Sequence, residues 1–137
     1  MAIERITGDK LIGTILGLQD ERLEKQVGCS KAEWVQHLIE MAKIEGYMGI
    51  WGLTEKKHVK RYMVAVNGIM PPISHVICIL YQNFFSDNEN GMLALLQVKN
   101  WGRSLGAEKI VIQTLYPRIN EKFGFHKEPG ETMYMDI

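Results

Sequence analysis

The sequence predicts an α/β (α+β) fold: a mixed, mostly antiparallel sheet with helices on both faces, in the order β-α-α-β-β-β-α-β-α-β. Three observations carry this. Apolar residues recur at helical spacing in three separate stretches, aromatic and β-branched runs follow one another directly between residues 46 and 85, and a continuous apolar strand follows the longest helix.

The elements follow in order. "AIERIT" alternates apolar and charged residues as a half-exposed strand does, and Thr7 or Asp9 can cap a helix that buries Leu11, Ile12, Ile15 and Leu16. A polar stretch, "QDERLEKQVG", comes next. Ser30 and Glu33 then form an S-x-x-E capping box, and Trp34, Val35, Leu38, Ile39 and Ala42 share a face of a helix from Ser30 to Lys43.

From Gly46 the texture is β: "GYMGIWGL", "RYMVAVNGI" and "ISHVICILYQNFF", separated by "TEKKHVK" and "MPP", predict three strands in an antiparallel meander. Asn88 or Asn90 offers a cap for a long helix with Gly91, Ala94, Leu95, Val98, Trp101, Gly102 and Leu105 along one face. Gly106 ends it, and "KIVIQTL" reads as a buried strand. The chain closes with a helical turn, "YPRINEKFGF", and a terminal strand, "TMYMDI".

Composition bounds the function. The 137 residues, 46% hydrophobic, fit a single domain spanning 1–137. Sixteen basic and sixteen acidic side chains balance, which argues against a nucleic-acid partner or an anionic membrane held by bulk charge. The basic hairpin "KKHVKR" is a solvated turn on this reading. Glu4 and Arg5 interrupt any signal-peptide run, no stretch reaches the roughly 20 apolar residues of a membrane helix, and the expected location is the cytoplasm. Cys29 and Cys78 lack CxxC spacing or neighbouring histidines, so both read as free thiols and no metal is expected.

The order of elements, with "GMLALLQVKNWGRSLGAEKIVIQT" followed by "INEKFGF", resembles the GCN5-related N-acetyltransferase (GNAT) family. The likeness spans nearly the whole chain and is specific from about Ile73 onward. It is similar above all to the short, divergent members carried by phages, which would make the location a host cytoplasm.

The resemblance implies an acyl-CoA-dependent N-acyltransferase that moves acetyl from acetyl-CoA to a primary amine, on a small molecule or a protein, by direct attack. It leaves room for a homodimer. In such a fold the strand before the long helix splays from its neighbour, and the unpaired backbone groups bind the pantetheine arm. Here the splaying partners would be Leu80, Tyr81, Gln82 and Asn83 on one strand and Ile110 to Thr114 on the other, with Pro117 to Phe125 closing the far side.

The diphosphate would sit at the start of the long helix, on the amides of Asn90, Gly91 and Met92, with Asn88 at the position of the family's Gln or Arg. One of the family's two loop glycines is present, as Gly91. Asp87 and Glu89 are acidic there, and a unit charge about 6 Å from a phosphate charge costs about 0.7 kcal/mol in water. Arg118 and Lys122 would flank the cofactor.

For the chemistry, the family's proton-donating Tyr falls on Asn120, which cannot supply a proton to a thiolate. Tyr116 or Tyr134 would stand in, or the thiol, with a pKa near ~8.5, would leave unaided. His75, Glu45 and His58 are the candidates for a base, and Tyr47, Trp51 and Tyr81 for an acceptor pocket. The alternative is a GNAT-like fold without catalysis that serves as a binding or assembly module.

Overall fold

The computed structural model describes residues 2–8, 13, 22–56, 58–70, 73–84, 86–112, 123–125 and 135. Its elements are β1 (Ala2–Arg5), α1 (Leu23–Val27), α2 (Lys31–Ala42), β2 (Met48–Glu55), β3 (His58–Met70), β4 (Ile73–Gln82), α3 (Asn88–Ser104) and β5 (Lys109–Ile112). The expected first helix, apart from the helical Gly13, lies outside the described residues, as do the late helical turn up to Lys122 and most of the terminal strand.

The five strands form one sheet in the order β1-β2-β3-β4-β5. β1 to β4 run antiparallel and β5 joins β4 in parallel across α3, the mixed sheet that the sequence predicts. A parallel neighbour requires a crossover element, and α3 is that element.

Side-chain alternation sorts the core into two layers. Towards α1 and α2 lie Leu23, Trp34, Val35, Leu38, Ile50, Tyr62, Val64 and Tyr81. Towards α3 lie Trp51, Leu53, Met63, Ala65, Ile77, Ile79, Ala94, Leu95 and Val98. The first six residues of β2 are buried, as a strand covered on both faces must be.

Local chemistry accounts for the helix ends. Ser30 accepts a hydrogen bond from the Glu33 amide and Glu33 accepts one from the Ser30 amide, closing the predicted capping box. These bonds hold the Glu33 carboxyl below its ordinary value, so their contribution is present above that ordinary value and fades as pH falls through the lowered one. Gly106, at φ 82°, ends α3 as predicted: its N–H donates to Arg103 and that of Ala107 to Gly102, which satisfies the last carbonyls.

Three expectations change. Leu23–Val27, inside the polar stretch, is a short helix that buries Leu23 and ends at Gly28 (φ 75°). Its single strong apolar contact is invisible to periodicity over five residues. Ala42 is exposed, at the last position of α2. The cap of α3 is Asp87, not Asn88 or Asn90, for reasons that emerge at the site.

Two contacts set how the layers meet. Trp34 Nε1 donates to the Tyr62 hydroxyl at 3.1 Å in the buried α2 layer, and both rings lean on Tyr81, at 6.1 and 4.9 Å. On the other layer Gly91 lets the start of α3 approach the 123–125 turn. A Cβ at position 91 would stand 2.6 Å from the Phe123 ring and 3.0 Å from the Phe84 Cβ.

Tyr62→Phe strands a buried indole N–H and is expected to lower unfolding stability by about 1–2 kcal/mol in urea titrations. Gly91→Ala is expected to cost about 1–3 kcal/mol in the same measurement, because the methyl overpacks a filled contact.

Candidate active site

The β3–β4 register shifts twice, between Gly68 and Met70 and between Val64 and Ala65, and at the second shift β4 carries one residue more than β3 can match. Val64 pairs with Tyr81 and Ala65 with Ile79, so Leu80 is the extra residue of a β-bulge. On the other side the described β4–β5 pairing ends at Ile79 with Ile112. Leu80 therefore has no register partner on either neighbouring strand among the described residues. A bulge leaves its extra residue out of the ladder, and its N–H and C=O face whatever fills the gap.

The bulge also reverses the strand's alternation. Ile77 and Ile79 face α3, yet Tyr81 faces Trp34 and Tyr62 on the α2 side. Gln82 and Asn83, both buried, then fasten the strand's end: Gln82 Oε1 accepts from the Phe84 amide and Asn83 Oδ1 from the Tyr62 amide, each at 2.7 Å. Their side chains hold the backbone that follows Leu80 in place.

The start of α3 lies a few residues further on. Asp87 Oδ1 accepts from the Asn90 amide at 3.2 Å and its Oδ2 from Asn90 Nδ2 at 2.8 Å. The Gly91 amide donates to the Asp87 carbonyl at 2.9 Å. Arg61, on β3, places Nε 3.9 Å from Asp87 Oδ2 and donates from Nη1 to the Asn83 carbonyl at 3.1 Å.

Asp87 wins the cap over the two asparagines because its charge answers both the helix dipole and Arg61. Sequence spacing alone cannot reveal that cation, which arrives from another strand.

The cap changes which amides face outward. The Asn90 N–H is held by Asp87, that of Gly91 closes the first intrahelical bond, and that of Met92 belongs to the helical ladder. The first-turn amides without a place in the ladder are those of Asn88 and Glu89, immediately before the expected trio.

His75 stands near the other end of β4, five residues and about 16 Å from Leu80 by strand rise. Its Nε2 is hydrogen-bonded to Asn67 Oδ1. Tyr47 and the exposed Glu45 belong to that same end, where the Asn67 amide donates to the Tyr47 carbonyl. His58 is exposed in the β2–β3 hairpin, paired across from Glu55. The expected base candidates are thus not gathered at the bulge, since strand length separates them from it. Trp51 faces α3 and packs at a tilt against Trp101, with Arg5 over both rings, so it is a core contact of that layer.

Thr114, Tyr116, Arg118, Asn120, Lys122 and Tyr134 lie outside the described residues. Cys29 and Cys78 are free thiols. Burial raises the Cys78 thiol above its ordinary value, and desolvation followed by Glu33 and Glu24 raises that of Cys29. Neither is activated as a thiolate nucleophile. Among the described residues no cluster of His, Cys, Asp or Glu is arranged to hold a metal, and no helix is long and apolar enough to cross a membrane.

No protein-family model matches the chain, and no curated protein matches it significantly in sequence. Solved structures do match. The aminoglycoside antibiotic 6'-N-acetyltransferase AAC(6')-IG from Acinetobacter haemolyticus superposes with TM-score 0.79 at 11% identity, over 100% of this chain and 99% of that one. AAC(6')-Iy in complex with the bisubstrate analog CoA-S-monomethyl-acetylneamine gives 0.76 at 12% identity, over 100% and 99%. A predicted acetyltransferase with acetyl-CoA from Clostridium acetobutylicum gives 0.72 at 14% identity, over 98% and 96%. At such identities the likeness speaks for the backbone alone, and what it says is that this chain has the GCN5-related N-acetyltransferase fold.

Proposed function

We propose that the protein is an acyl-CoA-dependent N-acyltransferase that moves acetyl from acetyl-CoA to a primary amine by direct attack. The observation that carries the reading is the bulge at Leu80, which takes one residue of β4 out of the β3–β4 ladder where the described pairing with β5 ends. The likeness to acetyltransferases solved with CoA-type ligands supports it.

On this reading the pantetheine arm runs along β4 beside Leu80 to Asn83, and the Leu80 backbone polarises the thioester carbonyl. The diphosphate meets the first-turn amides of Asn88 and Glu89, with Asn90 and Arg61 at hand when the Asp87 carboxylate turns aside. Thr114, Arg118 and Lys122 complete the cofactor's surroundings. The neutral amine forms the new C–N bond, the C–S bond breaks, the sulfur departs as thiolate, and the surplus proton on nitrogen passes to water, from which the thiolate is reprotonated. A thiol with a pKa near ~8.5 departs without an obligatory acid, so Asn120 in place of a Tyr is compatible with turnover, and Tyr116 or Tyr134 supplies a proton where one is needed.

One observation favours the alternative of a binding or assembly module without catalysis: a carboxylate, that of Asp87, already caps the helix where a diphosphate would sit. Calorimetric titration separates the two. Binding of acetyl-CoA at micromolar concentration, weaker for a pantetheine fragment lacking the diphosphate, is expected; no binding at millimolar acetyl-CoA sinks the enzyme.

Asp87→Asn keeps a competent cap but removes the charge. It is expected to tighten CoA binding about three-fold or more, on the ~0.7 kcal/mol repulsion of charges about 6 Å apart, and to leave pantetheine binding unchanged.

A further inference from the structure

Arg61 belongs to β3, yet its guanidinium lies against the turn that leads from β4 into α3. Its Nη1 donates to the Asn83 carbonyl at 3.1 Å, and its Nε stands 3.9 Å from Asp87 Oδ2. The second distance is beyond hydrogen-bond range, so Asp87 is held on that side by charge alone. A guanidinium carries several N–H donors in a rigid planar fork. Beyond these two contacts those of Arg61 have no partner among the described residues, and the side chain is 35% exposed.

The guanidinium is placed through the main chain. Asn83, whose carbonyl receives Nη1, is buried and tied back to β3 by the bond from the Tyr62 amide to its Oδ1. Asp87 has two further partners, the Asn90 amide at 3.2 Å and Asn90 Nδ2 at 2.8 Å. This one carboxylate therefore occupies the donors that an anion arriving from solvent needs: a helix-start amide, a side-chain amide and a guanidinium. Glu89 adds a second negative charge in the same turn. Arg61 is the cation that the structure brings against it.

We propose that Arg61 is a cofactor-binding residue, the cationic anchor for the diphosphate of the acyl donor: when the donor binds, the guanidinium keeps the Asn83 carbonyl and exchanges the Asp87 carboxylate for a phosphoryl oxygen. This deepens the N-acyltransferase reading and rests on it. Arginine suits the exchange because its fork can serve the carbonyl and an anion at once, which the point charge of a lysine does less well. An Arg61 present only to balance Asp87 would lose its purpose once Asp87 is neutral.

Calorimetric titration of the full chain with CoA and with pantetheine tests it, in the wild type, Arg61→Gln, Asp87→Asn and the double variant. Arg61→Gln is expected to weaken CoA binding about ten-fold, the worth of one charge-assisted hydrogen bond, and to leave pantetheine binding unchanged. A loss of about the same ten-fold is expected when Asp87 is already Asn. Removing the cation is also expected to flatten the salt dependence of CoA binding. Arg61→Lys, which keeps the charge and guards against misfolding of the first variant, is expected to bind CoA with an affinity between those of the wild type and Arg61→Gln.

If Arg61→Gln costs nothing in the Asp87→Asn background, the guanidinium serves only to neutralise Asp87 and the assignment is overturned. Equal weakening of CoA and pantetheine overturns it too, because the site has then been damaged rather than deprived of a phosphate contact. A wild-type affinity as high for pantetheine as for CoA means that no diphosphate is recognised; the anchor falls and the acyltransferase reading stands. Absence of CoA binding to the wild type overturns that reading itself, and the assignment falls with it.

Discussion

A surplus residue near the end of β4, Leu80, governs which core layer that end of the strand joins. β3 and β4 are hydrogen-bonded over their lengths, but β4 is one residue longer between Ala65 and Val64, and a period-two strand cannot absorb one residue without turning its side chains over. Before the bulge, Ile77 and Ile79 pack under α3; after it, Tyr81 packs under Trp34 and against Tyr62. The same event takes Leu80 out of the β3–β4 ladder, next to the last described β4–β5 pair, Ile79 with Ile112. The change of layer along β4 thus has one cause.

Around the bulge, polar side chains serve the backbone. Gln82 and Asn83 are buried, and each spends its carbonyl oxygen on a main-chain amide, which pins the strand's end and the Phe84 turn. Arg61 ties β3 to the Asn83 carbonyl and to Asp87, the cap of α3. Gly91 then allows Phe123 against the first turn of that helix. Strand end, helix start and the 123–125 turn are held in register by contacts a few ångströms across. A site built in this way takes its precision from rigid neighbours, which is what the proposed acyl transfer would require.

Much of this was legible from local signals. The capping box at Ser30 and Glu33, the Gly106 stop and the apolar face from Gly91 to Leu105 are properties of a few consecutive residues, and the structure reproduces them. The three-strand meander followed from short connections between β-rich runs. Less legible was α1, whose five residues are too few for a period to register. The choice of Asp87 as cap depended on Arg61, distant in sequence, and the separation of His75 from Leu80 depended on where along β4 the bulge falls.

The sequence by itself determined the two longer helices and the five strands that the structure describes, the sheet's mixed character and the resemblance to an acetyltransferase fold, because periodicity, caps and turn residues act over a handful of positions. Tertiary structure alone decided where β4 bulges and which carboxylate caps α3. The physical reason is that each of these depends on a partner brought close by folding: a strand that fails to match by one residue, and a guanidinium from β3. No local pattern encodes such neighbours, and they are what turn a common fold into a particular site.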